Sequence, residues 1–387
     1  MKKKICVVTG TRAEYGLMKY LIIKLSKIAK FDLSIAVTGS HLSKNFGNTY
    51  NEILKDGLKI NKKINISLYN DKKKDIAKST SIAVSEFSKF FHREKFDLII
   101  ITGDRYEILG VVIAAYFLNI RIAHFHGGEL TEGLIDEGIR HSITKMSNYH
   151  FVSTSKYKKR VMQLGENTKD IYFVGSLSLD SIKYYNLINK KSIEKEIGFK
   201  FKTKNILFTY HPLTLENYNS QKQIKIILSA LNEFKDIGVI FTKSNADADN
   251  KAITKEIDKF YKKNKNRCIV KNSLGSLLYF STLKHVQCVM GNSSSGIIEV
   301  PSFKIPTINI GDRQGGREKS KSIINVKCNK EDIVKALKKI SNKNFIKSVK
   351  NNLNPYYKKN TVENCIKIIK KINFDRTYKK KFNDLIK

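Results

Sequence analysis

Between His124 and His141 the chain places His124, His126, Glu129, Glu132, Asp136, Glu137, Arg140 and His141 around the glycine pair Gly127–Gly128, in the run HFHGGELTEGLIDEGIRH. A loop that only connects elements has no need of so many titratable groups. Carboxylates paired with a histidine in a shielded cleft are what general acid–base chemistry requires, because burial and mutual repulsion push one pKa toward neutrality. Asp104 adds a carboxylate at the tip of a strand-like run, ITGDRYE (101–107). Glu132, Asp136, Glu137 and Arg140 also have the spacing of the first turns of an amphipathic helix, where acids simply complement the dipole. His124 and His126 sit at i and i+2, so on a strand they face the same way and could share a metal with Asp136 or His141. A strand histidine is more often hydrogen-bonded within the fold, and no second metal-like cluster occurs, so no metal is assigned. His211, in TYHPLTLEN (209–217), ends another apolar run, and Pro212 gives it an extended exit.

A second set of residues suits an anion. GTRAEYG (10–16) joins a strand-like run to a helical one; position 12 is Arg, so the run is not GxGxxG, and no GxxxxGK[ST] occurs. A glycine turn, free N–H groups at a helix start and Arg12 are nonetheless suited to a phosphate. In GNSSSGIIEVPSFKIPTINIGDRQGGRE (291–318), Asn292, Ser293, Ser294 and Ser295 precede an apolar helix. They can cap that helix and also offer donors to an anion. Glu299, further along it, is suited to ribose hydroxyls, and Arg313 and Arg317 follow in a glycine-rich loop. The competing reading is an N-cap followed by a flexible loop; with Arg12 counted, a pyrophosphate site is favoured.

These motifs lie where strands end. Strands are expected at 5–10, 31–39, 96–104, 121–128 and 149–154, with helices at 15–29, 74–93, 105–118, 136–147 and 155–164 between or after them. After a lysine-rich polar stretch the alternation restarts. Strands at 205–212, 238–245, 267–272, 286–292 and 305–311 alternate with helices at about 217–234, 248–263, 273–283 and 294–301. Continuous apolar strands separated by helices imply right-handed βαβ units and parallel sheets covered on both faces. The expected organisation is a Rossmann-like domain over 1–182, a linker at 183–203, a second Rossmann-like nucleotide-binding domain over 204–356, and a C-terminal helix and tail over 357–387. Two such domains place a ligand in the cleft they face.

Composition narrows the class. The 387 residues carry 72 Lys+Arg against 35 Asp+Glu, a formal charge of +37. Only ten of the basic residues are arginine, and the lysines are dispersed, travelling with Ile and Asn. Nucleic-acid surfaces favour arginine forks and clustered stripes, so the excess is read as solvated helix faces rather than a nucleic-acid footprint. No apolar run reaches the ~18 residues of a membrane span, and the N-terminus does not read as a secretory signal. The five cysteines form no CxxC pair and no zinc spacing, and read as reduced thiols of a cytoplasmic protein.

Taken together in order, GTRAEYG, TGDRYE, HGGELTEGLIDEGIRHSITKMS, TYHPLTLEN, GNSSSGIIEVPSFKIPTINIGDRQGGR and the late NPYY resemble the hydrolysing UDP-N-acetylglucosamine 2-epimerases of bacterial sialic-acid synthesis, over about 4–370. The resemblance implies a glycosyltransferase-B-type fold, a nucleotide-sugar substrate, no cofactor and a homodimer. It also implies conversion of UDP-GlcNAc and water to N-acetylmannosamine and UDP, by elimination to 2-acetamidoglucal and then hydration. On these positions Asp104 and Asp136 resemble the two catalytic carboxylates. His126 stands where some members carry a Glu, with Glu129 and Glu137 near enough to substitute for that acid. His211 resembles the histidine at the departing diphosphate. Arg12, Ser293, Ser294 and Glu299 resemble the nucleotide contacts, with Arg313 or Arg317 near the phosphates. The same chemistry on a UDP- or GDP-linked bacillosamine-type sugar, a non-hydrolysing epimerase and a glycosyltransferase of the same fold are the alternatives.

Overall fold

The computed structural model describes residues 2–44, 47–67, 73–131, 135–212, 219–243, 250–374 and 379–384. Glu132, the second half of the 209–217 motif and the expected helix starts at 217 and 248 lie outside the described residues. The chain divides into two compact units. One is built from the chain up to Glu129, from Ile135–Ser181 and from Lys358 onward; the other is built from Ile182–Tyr357 together with the short segment that begins at Leu130.

The first unit holds seven strands: β1 (Lys3–Thr9), β2 (Phe31–Val37), β3 (Lys62–Lys63), β4 (Leu98–Thr102), β5 (Arg121–Phe125), β6 (Tyr149–Val152) and β7 (Ile171–Phe173). They pair in parallel in the order β3-β2-β1-β4-β5-β6-β7, with Ile5 opposite Leu98 and His124 opposite His150. Strand order reverses at β1, so the crevice between the C-terminal ends of β1 and β4 is the topological switch point where such sheets take ligands. Alternation along β1 feeds two cores. Ile5 and Val7 pack with Tyr15, Met18 and Leu21 of the helix Arg12–Leu25, whereas Cys6 and Val8 pack with Phe87 and Ile99. The C-terminal helix Thr361–Lys371 joins the first of these cores through Val362, Cys365 and Ile369.

The second unit holds β8 (Lys204–Thr209), β9 (Ile237–Thr242), β10 (Cys268–Lys271), β11 (Cys288–Gly291), β12 (Thr307–Ile310) and β13 (Ile323–Val326). All pairs are parallel, in the order β10-β9-β8-β11-β12-β13, so its switch point lies at the ends of β8 and β11. Ile206 and Phe208 face one core and Leu207 the other. Residues 183–203 include the helix Lys190–Ile197, whose Ile193 and Ile197 are buried beside Leu207 and Ile240.

All five cysteines are free thiols; Cys6, Cys268, Cys288 and Cys365 are buried and Cys328 is part-buried. Among the described residues no helix is long and apolar enough to cross a membrane.

Candidate functional site

In the first unit the chemistry-bearing residues hang from the ends of β1, β4 and β5 and from the first turns of the helix Asp136–Met146. Arg140 ties them together, although the sequence alone gave it no such part. Its side chain is 2% exposed, so its guanidinium must be satisfied by protein groups. Nε donates to Asp104 Oδ2 at 2.8 Å, and Nη2 reaches the same oxygen. Nη1 donates to Glu137 Oε2 at 2.8 Å and to the Glu129 carbonyl at 2.9 Å. One buried cation thus fixes the acid after β4, the loop after β5 and its own helix. Glu137 is also taken by His141, whose Nε2 lies 3.0 Å from Oε1.

Asp136 opens that helix, and its carboxyl is pushed up to about 6. Burial is the main cause and the neighbouring Asp104 carboxylate the next; Arg105 and Arg140 oppose them. A carboxyl that titrates there can hold or release a proton near neutral pH, as acid–base work requires.

The two histidines of HFH part company. His124 is buried on β5, and its Nε2 lies 2.8 Å from the carbonyl of Gly103, the residue before Asp104. Burial holds it neutral, with its pKa pulled down to about 3. The strand ends at Phe125, and His126 takes a left-handed backbone (φ 66°), so strand alternation does not carry through it. Its Nδ1 lies 3.0 Å from Glu129 Oε1, which also accepts from Ser153 Oγ at 3.1 Å. Glu129 therefore orients the His126 ring. The shared metal considered for His124, His126 and Asp136 or His141 lacks the strand geometry it needed. Among the described residues no group of three or more His, Cys, Asp or Glu is arranged to hold a metal ion.

Arg12, the first residue of its helix, is half exposed, with Nε 3.6 Å from Glu52 Oε1. Thr11 caps that helix by accepting from the Glu14 N–H.

In the second unit, His211 follows β8 and Asn292 follows β11. Asn292 is 1% exposed. Its Oδ1 accepts from the His211 N–H at 2.7 Å and its Nδ2 donates to the His211 carbonyl at 2.8 Å. That carboxamide, read from the sequence as a contact for the nucleotide, is committed to the backbone of His211. The approach depends on Gly291, which has φ 135°; a Cβ there would lie 1.8 Å from the Thr209 carbonyl oxygen. Burial, and then Arg313, hold the His211 imidazole neutral, with its pKa pulled down to about 3.

Arg313 Nη1 and Gln314 Nε2 both donate to the Asn292 carbonyl, at 3.2 and 3.0 Å. Ser293 is the N-cap of the short helix Ser294–Ile298 and makes no side-chain cap bond. Ser295 Oγ is bonded to Tyr279 OH, and Glu299 lies nearly buried at the end of the same turn. Arg317 lies in the loop after β12.

Glu14, Glu107, Ser153, Tyr279 and Gln314 were not singled out from the sequence. Glu107 had a signal, being an acid in the first turn of the otherwise apolar helix Tyr106–Phe117.

A sequence profile described as UDP-N-acetylglucosamine 2-epimerase matches residues 23–370. The chain is 44% identical over 385 residues to a GDP/UDP-N,N'-diacetylbacillosamine 2-epimerase (hydrolyzing) of Campylobacter jejuni, covering 99% of this chain and 100% of that protein. It is 40% identical over 383 residues to the polysialic acid biosynthesis protein P7 of Escherichia coli, covering 99% and 97%. Identity to a UDP-N,N'-diacetylbacillosamine 2-epimerase (hydrolyzing) of Legionella pneumophila is 36%, covering 96% and 97%. Among solved structures, the UDP-GlcNAc 2-epimerase of Neisseria meningitidis bound to UDP-GlcNAc superposes with a TM-score of 0.81 at 18% identity, over 95% of this chain and 100% of that one. These likenesses show two parallel-sheet α/β domains of the glycosyltransferase-B-like fold.

Proposed function

Because the chain belongs to the UDP-N-acetylglucosamine 2-epimerase family, we propose that it is a hydrolysing 2-epimerase whose substrate is a UDP- or GDP-linked N,N'-diacetylbacillosamine. The observation that carries the choice of sugar is the pair of relatives at 44% and 36% identity, matched over nearly their whole length and both described as hydrolysing epimerases of that sugar. The acid–base set of the first unit suits the chemistry. A base removes the proton at C2 while the C1–O bond to the diphosphate breaks, giving a C1=C2 glycal and free nucleoside diphosphate. Water then adds across the double bond and a proton returns to C2 on the opposite face, releasing the 2-epimeric free sugar.

In this reading Asp104 and Asp136 are the catalytic carboxylates. His126, oriented by Glu129, handles a further proton. Arg12, Ser293, Ser294, Glu299, Arg313 and Arg317 take the nucleoside diphosphate, and the neutral His211 donates to the leaving group. Asn292 acts through His211, whose main chain it clamps. The preorganised donors offset the charge that develops on the departing diphosphate.

Incubation with each nucleotide sugar in D2O tests the reading. The expected products are the free 2,4-diacetamido-trideoxy sugar epimerised at C2, deuterium at C2, and one equivalent of nucleoside diphosphate. An epimer still attached to its nucleotide would indicate the non-hydrolysing reaction; retention of the original C2 hydrogen would indicate a glycosyltransferase. A second reading, UDP-GlcNAc to N-acetylmannosamine, is favoured by the 40% identity to the polysialic acid biosynthesis protein. Release of N-acetylmannosamine in the same incubation, with the diacetylated sugar untouched, would establish it.

A further inference from the structure

Glu107 is fully buried at the C-terminal ends of β1, β2 and β4, at the switch point of the first sheet. Two glycines make room for it. A Cβ on Gly10 would lie 2.9 Å from Glu107 Cγ, and one on Gly39 would lie 3.1 Å from Glu107 Oε1 and 2.9 Å from the Gly10 carbonyl oxygen. Beside it Glu14, also buried, accepts the Gly10 N–H on Oε2 at 2.7 Å. Glu14 Oε1 and Glu107 Oε2 are buried without a hydrogen-bond partner among the described residues.

Two buried carboxyls cannot both stay ionised beside a single cation without a large desolvation cost. Arg105 decides which one does. Its Nε donates to Glu107 Oε1 at 2.7 Å, a charge-assisted bond to a side chain that is 1% exposed. Glu14 carries the proton, its carboxyl pushed up to about 8 by burial and then by the Glu107 charge.

The Arg105 side chain is itself 45% exposed, follows Asp104 directly and lies over the Tyr106 ring, with its carbon 5.5 Å from the ring centroid. Neither Nη has a hydrogen-bond partner among the described residues. A guanidinium tethered through Nε presents its remaining N–H groups as a fork, which suits the oxygens of a phosphate.

We propose that Glu107 is a positioning residue: from beneath the strand ends it anchors Arg105 by Nε, so that the two Nη groups bind phosphate oxygens of the nucleotide sugar. The inference rests on the nucleotide-sugar reading above. The Glu107 carboxylate never meets the ligand; it spares Arg105 the ordering of a long side chain at the moment of binding.

A double-mutant cycle on the full-length protein tests it, with UDP as the probe in titration calorimetry and thermal unfolding as the control. Arg105→Ala and Glu107→Ala are each expected to weaken UDP binding by about tenfold or more, the loss of one charge-assisted contact. The double variant is expected to bind no more weakly than Arg105→Ala alone, because the two residues act as one unit. Should Glu107→Ala not fold, Glu107→Gln keeps the shape and removes the charge. Its smaller loss is likewise expected to vanish in the Arg105→Ala background. Additive losses, or wild-type affinity in Arg105→Ala, overturn the inference and leave the nucleotide-sugar reading standing. A wild-type protein that binds neither UDP nor GDP overturns that reading, and this inference with it.

Discussion

Asp136 sits in a field of neighbours that pull its acidity in opposite directions, and the balance leaves it titrating at about 6. If it is one of the catalytic carboxylates, kcat/KM has a limb near pH 6 that Asp136→Asn abolishes, with kcat reduced by at least ~10²-fold and thermal stability retained. Asp104→Asn is expected to lower kcat comparably and also to lower Tm, because it removes a carboxylate that counters the charge of the buried Arg140. Full activity in either variant removes that residue from the mechanism. Glu14 gives a stability prediction independent of turnover. Its carboxyl is raised from an ordinary 4.5 to about 8, so between these values the folded protein holds a proton that the unfolded chain has lost. That contribution is complete below about 4.5, and stability falls as pH rises toward about 8. His41, His124, His150, His211 and His285, which ordinarily titrate at 6.5, are displaced the other way and oppose that slope up to about pH 7.5. Glu14 is therefore read, in the window up to about 8, as the difference between the wild type and a Glu14 variant. Glu14→Gln, which mimics the protonated acid, is expected to remove the Glu14 fall from Tm against pH in that window. An unchanged slope would show that Glu14 is ionised in the native protein.

At the scale of elements, function depends on what happens in the few residues after each strand. β5 stops at Phe125, and the left-handed turn at His126 sends its ring to Glu129 while His124 stays in the sheet. β11 stops at Gly291, and Asn292 turns back to hold the main chain that leaves β8. Asn292→Ala removes both side-chain hydrogen bonds to the part-buried main chain of His211. It is expected to cost about 2 kcal/mol in urea unfolding and to lower kcat through His211; wild-type stability would mean the loop re-forms those bonds elsewhere. The main strands and helices were legible as apolar runs and helical periodicity, because burial of both sheet faces writes itself into composition. The helix Lys330–Lys339 was not read, although its signals were present: Asn329 caps the Asp332 N–H, and Ile333, Ala336, Leu337 and Ile340 recur at helical spacing. β3 and β7, of two and three residues, offer too short a run for periodicity to register, and β13, an edge strand whose residues are part-buried or exposed, was not read either.

For the molecule as a whole, +37 on 387 residues is a long-range field that favours encounter with an anion. The expected consequence is a kcat/KM for the nucleotide sugar that falls with ionic strength, with kcat little changed; a salt-independent kcat/KM would confine the charge to solubility. The sequence by itself determined that the chain makes two parallel α/β sheets. It also placed Asp104, His211 and Asn292 at strand ends and Asp136 at a helix start, since both follow from local apolar runs and the residues that stop them. It ran the strand that begins at Arg121 on to 128, however, and so kept His126 inside it. Tertiary structure decided what those side chains do. Arg140 meets Asp104 across 36 residues, and Asn292 meets His211 across 81. Glu107 lies against Gly10 and Gly39, which belong to other strand ends. Such partners are set by strand order and by how closely backbones approach at the sheet's edge. Neither leaves a local mark on the sequence, because a buried carboxylate and a solvated one are written with the same letter.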